Sequence, residues 1–219
     1  MAGAIGAIAG LILAAYLLGS IPTGYLIAKW AKGIDIRQYG SGGTGATNVL
    51  RTVGKGAAAA VLAVDLIKGA LAVLLVKAAF PALLNSAAGA AVNPDWQPWI
   101  EALAGLAALL GHSRSIWLNF TGGKSAASGL GILLAMAWPV GLGTAAVFAA
   151  VVGLSRIVSL GSILAAIATI VLMVVTGQPL GYLVLAIAGG LYVILRHRSN
   201  IERLLSGTEP RLGSRSEAP

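Results

Sequence analysis

The sequence has no cysteine, only two histidines and few charged residues. The lack of cysteine excludes disulfides, a thiol nucleophile, a cysteine-ligated zinc and a cysteine-anchored lipid. His112 and His197 are too few for an all-histidine metal site, and no cluster of carboxylates suggests magnesium, so we expect no metal and no other cofactor. Charged residues make up 10% of the 219 residues, whereas soluble domains contain about 25%. The composition therefore argues against a soluble domain.

Apolar residues take the place of the missing charge and make up 58% of the chain. Every backbone polar group in lipid must be bonded within the protein, which favours helices. The sequence therefore predicts an all-α polytopic membrane protein, in which each helix needs about 20 residues to cross the hydrocarbon. Pro22 should kink the first helix. The seven predicted transmembrane helices cover residues 4–30, 57–80, 98–112, 124–138, 140–154, 159–176 and 179–196.

The basic residues are distributed asymmetrically, and the formal net charge is +8. All of the 15 lysines and arginines except Lys77 follow an odd-numbered span or lie near the same end of the second span. The positive-inside rule makes this face cytoplasmic, so the N-terminus is predicted outside and the C-terminus inside. No charge precedes Lys29, which is typical of a retained span rather than a signal peptide. Residues 1–206 should form one membrane domain, and residues 207–219 a polar, disordered cytoplasmic tail.

A glycine-rich loop, YGSGGTGATNVLR at residues 39–51, is the first cluster with a candidate chemistry. Backbone N–H groups around Gly42 and Gly45 can form an anion-binding nest. Arg51 can fork onto phosphate oxygens, and Thr47 and Asn48 can donate or orient. The segment predicts phosphate binding, although an ordinary flexible loop is an equal alternative.

The second cluster, GHSRSIWLNFTGGKSAASGLG at residues 111–131, places basic residues at span ends. Gly122, Gly123 and Lys124 open the fourth predicted span, and a helix N-terminus beside a lysine is favourable for an anion. Leu118 stands where a P-loop needs glycine, which excludes an NTPase. Arg114 and Lys124 are candidate phosphate ligands, but both would also suit lipid head groups at a span end.

Two further clusters lie on the same predicted face. SRIVSLGS, residues 155–162, carries Ser159 and Ser162 in the first turns of a helix, where Ser159 is equally suited to cap the helix. In RHRSNIERL, residues 196–204, His197 and Asn200 share a helix face if the helix continues. Neither pair alone decides between a structural and a catalytic role.

Asp65 and Lys68 lie inside the second predicted span. Ionisable residues in a span are rare and usually face a partner or a polar cavity. At this spacing the two can form an ion pair that orients the helix, or they can serve function. The sequence leaves both interpretations open.

Six motifs in order resemble one family: GSIPTGYLIAK, YGSGGTGATNVLR, DLIKG, GH followed by F.GGKS, SRIVSLGS, and RH..NIERLL.G.E. From about residue 17 to about residue 211 the chain is similar to the bacterial acyl-phosphate:glycerol-3-phosphate acyltransferases, the PlsY family. The resemblance implies a seven-span inner-membrane enzyme with its active site on the cytoplasmic side. It implies acyl transfer from acyl-phosphate to the 1-hydroxyl of glycerol 3-phosphate. The products that it implies are 1-acylglycerol 3-phosphate (lysophosphatidic acid) and phosphate, in the first step of phospholipid synthesis.

Matching motif positions carry the family's site residues onto this sequence. The catalytic residues implied are Ser41, Arg51, Lys124, His197 and Asn200. Together with the clusters above, the substrate-binding residues predicted are Gly42, Gly45, Thr47, Asn48, Arg114, Gly122, Gly123, Ser159 and Ser162. Gly43 stands where the family usually has asparagine, so one side-chain donor is missing from the glycine loop.

The expected mechanism is electrostatic rather than covalent. Acyl-phosphate is already activated, and the sequence has no legible nucleophile with its base, so no acyl-enzyme is expected. Either His197 or a substrate phosphate accepts the hydroxyl proton. The expected partners are the two substrates and membrane lipid, with no nucleic acid and no obligate protein partner. A transporter of an organic phosphate is the alternative, although its charges should lie near the midplane among repeats; a membrane anchor is a third interpretation.

Overall fold

The structure, a computed structural model, describes residues 2–213. Every regular element in this range is a helix, which confirms the all-α class. Each of the later six predicted spans coincides with one helix, and the first coincides with α1 and α2 together. The α-helices are α1 (Ala2–Ser20), α2 (Thr23–Lys32), α3 (Ala46–Thr52), α4 (Lys55–Leu84), α5 (Gln97–Ser113), α6 (Ala126–Met136), α7 (Trp138–Ser155), α8 (Val158–Val175), α9 (Leu180–Arg196) and α10 (Arg198–Leu205).

The first predicted span is broken between α1 and α2. Pro22 has no backbone N–H and lies at the N-cap of α2, so one helix cannot continue through it. Such a break leaves carbonyl groups without helical partners, and distant side chains satisfy two of them. Lys68 Nζ donates to Ile21 O at 2.8 Å, and Ser115 Oγ donates to Ser20 O at 2.6 Å. The break is therefore tied to α4 and to the loop after α5.

The 30-residue helix α4 packs against α1, α5 and α6 at the centre of one group of helices. Small residues let these helices approach closely. A Cβ atom on Gly69 would overlap Ser128 O of α6, and one on Gly131 would overlap Leu66 O of α4. A second group consists of α7, α8 and α9, and α9 returns to pack on α5. The site described below lies between these two groups.

Within residues 2–213, four helical segments are long and apolar enough to cross a membrane: Ala2–Lys32, Lys55–Leu84, Trp138–Ser155 and Val158–Val175. Helices α9 and α10 would make a fifth, although they are bent by 61° at their junction. Helix α5 has 17 residues and α6 has 11, and a single crossing needs about 20. By length and apolarity the described residues thus contain four or five candidate membrane spans. The seven predicted crossings would require α5 and α6 to cross the membrane as well, although both are shorter than these criteria require.

The start of the predicted disordered tail is folded against the bundle. The backbone N–H of Leu212 donates to Arg156 O at 2.7 Å. The side chain of Glu209 is buried, and its carboxylate accepts hydrogen bonds from side chains of α8 and α10. Residues up to 213 of the predicted tail therefore contact the helix bundle. Residues 214–219 lie outside the described residues.

Candidate active site

A cavity of about 250 Å³ lies within the helix bundle. Its polar end is formed by the glycine loop, the segment before α6, the start of α8 and the junction of α9 and α10. Its other end is formed by small and apolar residues of α6, α7, α8 and α9. Polar groups from separate parts of the chain thus meet beside an apolar chamber.

The amide of Asn48 shapes the glycine loop. Its Nδ2 donates to Ile36 O at 3.2 Å, to Tyr39 O at 3.0 Å and to Gly43 O at 2.8 Å. Its Oδ1 accepts from the backbone N–H of Ser41 at 3.0 Å. An amide group has two donor hydrogens, so no donor of Asn48 is left for a substrate. Asn48 lines the cavity, but its side chain is used to hold the backbone of the loop in shape.

Close contacts explain two of the glycines in this region. Gly40 has a φ of +58°, and a Cβ atom there would overlap Asn48 Oδ1. Gly24 of α2 lies directly on Thr44 O, which a Cβ atom would overlap. The loop is therefore a bonded and packed element, unlike the flexible loop that its composition also allowed.

The segment Gly122–Lys124 wraps around the end of α5. The backbone N–H of Gly123 donates to His112 O at 3.2 Å. A Cβ atom on Gly122 would overlap His112 O, and one on Gly123 would overlap the His112 ring. These glycines are thus explained by their contact with His112. Of the two, Gly123 lines the cavity and Gly122 does not.

Lys124, Asn200 and Glu209 form a hydrogen-bonded chain at the polar end of the cavity. Lys124 Nζ donates to Asn200 Oδ1. Asn200 Nδ2 donates in turn to Glu209 Oε1 at 2.6 Å, and Ser159 Oγ donates to the same oxygen at 2.7 Å. Arg203 Nε donates to Glu209 Oε2 at 2.7 Å. One carboxylate therefore fixes the amide orientation of Asn200, which holds Lys124.

Glu209 was missing from the predicted site, although it ends the last of the six motifs. Burial alone would raise its pKa, but hydrogen bonds from Asn200, Ser159 and Arg203 lower the pKa below its ordinary value. The carboxylate therefore remains ionised among the basic residues. The motif spacing was the available signal, but only the path of the chain after α10 reveals that this residue returns to the site.

His197 is buried where α9 ends. Its Nδ1 lies 2.8 Å from Val193 O, and because a carbonyl can only accept, Nδ1 carries the proton. Burial, together with the positive charges of Lys124 and Arg196, lowers the pKa of His197 to about 4 against the opposing hydrogen bond to Val193. The imidazole is therefore neutral at neutral pH, with Nε2 as its acceptor atom.

The basic side chains at this end of the cavity influence one another. Burial lowers the pKa of Lys124 to about 8; Glu209 opposes this shift, and Arg203, Arg196 and Arg51 reinforce it. Arg51 Nη2 donates to Pro210 O at 3.4 Å, so it reaches the C-terminal segment from α3. Such a concentration of cations is suited to an anion with more than one negative charge.

Most of the predicted site residues share this cavity. Three do not line it: Gly42, Gly122 and Arg114. Arg114 is exposed and donates to Phe120 O at 3.4 Å, because α5 ends one residue earlier and its side chain leaves the bundle. The predicted residues that line the cavity are Ser41, Gly45, Thr47, Asn48, Arg51, Gly123, Lys124, Ser159, Ser162, His197 and Asn200.

The fold and the cavity together define an integral membrane protein whose cationic site adjoins an apolar chamber. The chain belongs to the glycerol-3-phosphate acyltransferase family, whose model matches residues 9–207. The glycerol-3-phosphate acyltransferase of Nostoc sp. (strain PCC 7120 / SAG 25.82 / UTEX 2576) is 62% identical over 206 residues, which cover 93% of this chain and 91% of the relative. That of Acaryochloris marina (strain MBIC 11017) is 56% identical over 207 residues, covering 94% and 92%.

Two solved structures share this fold. The chain matches the crystal structure of PlsY (YgiH), an integral membrane glycerol 3-phosphate acyltransferase, in its glycerol 3-phosphate form. The TM-score is 0.84 and the identity 38%, over 95% of this chain and 96% of the other. The lysphosphatidic acid form of PlsY matches with a TM-score of 0.81. These findings confirm the resemblance to the PlsY family that the six motifs indicated.

Proposed function

We propose that the protein transfers a fatty acyl group from acyl-phosphate to the 1-hydroxyl of glycerol 3-phosphate. The products are 1-acylglycerol 3-phosphate and inorganic phosphate. One observation carries the proposal beyond family membership: Arg51 and Lys124 meet in one cavity that continues into an apolar chamber. The basic residues suit phosphorylated reactants, and the apolar chamber suits an acyl tail.

The reaction moves negative charge between oxygens, and the cavity is suited to stabilise it. Arg51 is proposed to fork onto a phosphate, and Lys124 is proposed to neutralise the oxygen that leaves with phosphate. A preorganised donor of this kind contributes about 3–4 kcal/mol to the transition state. Holding both reactants in line contributes roughly 7–11 kcal/mol more.

The hydroxyl proton is proposed to go to a phosphate oxygen rather than to His197. The pKa of His197 is about 4, whereas that of a phosphate monoester is about 6. The proton is therefore more stable on phosphate than on the buried imidazole. In this mechanism the 1-hydroxyl donates its hydrogen bond to that phosphate oxygen, and His197 Nε2 accepts a hydrogen bond from the neighbouring 2-hydroxyl, which aligns the substrate. The 1-hydroxyl oxygen then bonds to the acyl carbon as the bond from that carbon to phosphate breaks.

Purified protein in detergent tests the proposal directly. Acyl-phosphate and glycerol 3-phosphate together should yield phosphate and 1-acylglycerol 3-phosphate in equal amounts, measured by colorimetry and mass spectrometry. Neither substrate alone should do so. A phosphate transporter would release nothing in detergent and would act only in sealed vesicles. Absence of product with folded protein rejects the enzyme.

The apolar chamber is proposed to hold the acyl chain. Its wall includes small residues of three helices, such as Ala145, Ala165 and Ala186. Its polar lining pair, Thr144 and Thr169, is mutually bonded at 3.0 Å, and Thr169 Oγ1 donates to Ala165 O at 2.9 Å. Both hydroxyl protons are therefore used in bonds within the wall. The pair presents no unpaired donor to an acyl chain.

We expect Ala186→Leu to shift acyl-chain preference towards shorter chains. Ala186 is buried in the wall, and a larger side chain there fills the chamber deep below His197. kcat/KM with palmitoyl-phosphate should fall at least about ten-fold relative to octanoyl-phosphate, since misplacement of a bound reactant weakens alignment. Ala188→Leu is the matched control, because Ala188 is exposed on the same helix. An equal loss with both donors would place the tail elsewhere.

We expect kcat/KM for glycerol 3-phosphate to fall as the pH rises through about 8. The cationic form of Lys124 is the one that attracts phosphate, and this side chain loses its proton with a pKa of about 8. His197, with a pKa of about 4, stays neutral over that range. The alkaline decline should be missing in Lys124→Arg, whose guanidinium stays charged. The same decline in both proteins would assign it to another group.

We propose that the chain crosses the bacterial inner membrane seven times, with the N-terminus outside and the active site on the cytoplasmic face. Support comes from the sequence, in which all lysines and arginines except Lys77 fall on one predicted face. The natural sequence has no cysteine, so single cysteines report on sidedness. In intact cells an impermeant maleimide should label Ser86→Cys, and Lys55→Cys only after the membrane is opened. The reverse pattern inverts the topology.

A further inference from the structure

A second polar network, formed by Asp65, Lys68, His112 and Ser128, lies inside the bundle. Asp65 of α4 has 1% exposure and lies 2.8 Å from Lys68 Nζ and 3.5 Å from His112 Nδ1, measured from Oδ1. His112 Nδ1 also lies 3.2 Å from Ser128 Oγ of α6. The network therefore joins α4, α5 and α6. A charge in this position is unfavourable unless it is paired.

The two charged or polar partners of Asp65, Lys68 and His112, have different neighbours. Lys68 faces the break between α1 and α2, where it donates to Ile21 O. His112 faces the cavity, and the far edge of its ring, at Nε2, lies against Gly123. The ion pair that the sequence left unexplained thus connects a helix break on one side with the Lys124 segment on the other.

The Lys124 segment is held from both sides. The His112 ring and carbonyl support Gly123 from α5, and Ser125 Oγ donates to Leu109 O at 2.8 Å. From α9, Arg196 Nη2 donates to Gly123 O at 3.2 Å. Because Gly123 and Ser125 are held in this way, Lys124 is positioned to donate from its ammonium group to Asn200 at the polar end of the cavity.

We propose that Asp65 is a positioning residue for Lys124, and that it acts through the His112 ring. Its carboxylate faces the Nδ1 edge of the ring at 3.5 Å, beside the hydrogen bond between the ring and Ser128. The opposite edge of the ring supports Gly123, and Gly123 sets the position from which Lys124 reaches the phosphate. Asp65 itself takes no part in bond making. This inference rests on the proposed function, since it assigns Lys124 to phosphate.

A double-mutant cycle distinguishes this role from simple stabilisation. Asp65→Asn should lower kcat/KM for glycerol 3-phosphate about a hundred-fold, as expected for misplacement of a catalytic group. In a Lys124→Ala background the same change should have little further effect, because the group that it positions is gone. A purely structural role would give losses that multiply. Multiplying losses, or an unchanged rate in Asp65→Asn, would overturn the proposal.

Two further variants keep the test decisive if Asp65→Asn folds poorly. Asp65→Asn with Lys68→Met removes the unpaired charge and should restore stability without restoring the rate. Glu101→Gln is the matched control, since Glu101 is an equally buried carboxylate, bonded to Tyr182 at 2.5 Å, that does not line the cavity. It should lower the melting temperature and leave kcat/KM nearly unchanged.

Failure of this inference differs from failure of the proposed function. If the wild-type protein forms no 1-acylglycerol 3-phosphate, the function is wrong. If it forms the product and the cycle shows independent losses, Lys124 keeps its role and only the assignment of Asp65 is lost.

Discussion

Lys124→Ala is expected to lower kcat/KM by about a hundred- to a thousand-fold, the range for loss of one preorganised donor at a developing anion. Lys124 lines the cavity and is fixed by Asn200, so its ammonium needs no rearrangement before the reaction. Water that replaces the side chain would have to reorganise during the reaction. Phosphate release by the purified variant, with varied glycerol 3-phosphate, measures the effect.

Lys55→Ala is the matched control for this prediction. Lys55 is an exposed lysine at the start of α4, and it does not line the cavity. Its removal lowers the basic charge of the protein by the same amount but should leave the rate within about two-fold, because exposed charges are screened. Equal rates in the two variants would show that Lys124 is not part of the site.

Glu209→Ala is expected to lower both stability and activity. Its carboxylate accepts three hydrogen bonds, and without it Arg203, Ser159 and Asn200 lose their shared acceptor. Leaving such groups unpaired costs about 2–3 kcal/mol, which corresponds to a fall of several degrees in melting temperature for a chain of this length. Activity should fall at least about ten-fold, because Asn200 no longer holds Lys124 in place.

Glu209→Gln separates geometry from charge. The amide oxygen can still accept from Ser159 and Asn200, but its NH₂ group then faces Arg203. The single change should therefore be harmful, and adding Arg203→Met should recover part of the stability. Truncation after residue 206 should match Glu209→Ala. A truncated protein with full activity would show that the folded C-terminal segment has no role in the site.

The pH dependence of stability follows from the same contacts. The pKa of Glu209 is lower in the folded protein than its ordinary value of 4.5. Its ionised form therefore stabilises the fold above that ordinary value, and this stabilisation is lost as the pH falls through the lower, folded pKa. The difference in melting temperature between wild type and Glu209→Gln should shrink as the solution is acidified. A constant difference would contradict the assigned ionisation state.

Local patterns in the sequence predicted most of the helices and polar clusters. The apolar segments became helices because chain length and hydrophobicity act within each segment, and Pro22 broke the first of them as its missing N–H requires. Ser41, Arg51 and Lys124 were identified through their motifs, and they share one cavity. The predicted position of the basic residues on one face of the membrane had indicated that these side chains could lie in one site.

The contacts define the surroundings of some residues whose roles the sequence left open. Asn48 was expected to donate or to orient, and its amide hydrogens bond the backbone in and next to the loop. Gly122 was expected to bind substrate; it packs on His112 and does not line the cavity. A residue type states which bonds a side chain can make, and the surrounding backbone decides which bonds it does make.

The sequence by itself determined the helical membrane class and the inventory of groups that can bind phosphate, because these depend on composition and on spacing within short segments. Only the tertiary structure decided which groups face the cavity: it directs Arg114 outward, returns Glu209 to Lys124 through Asn200, and brings Asp65 against His112. The physical reason is that these contacts depend on how helices far apart in the chain cross and rotate against one another. That arrangement is set by close packing across the whole bundle, and no local stretch of sequence contains it.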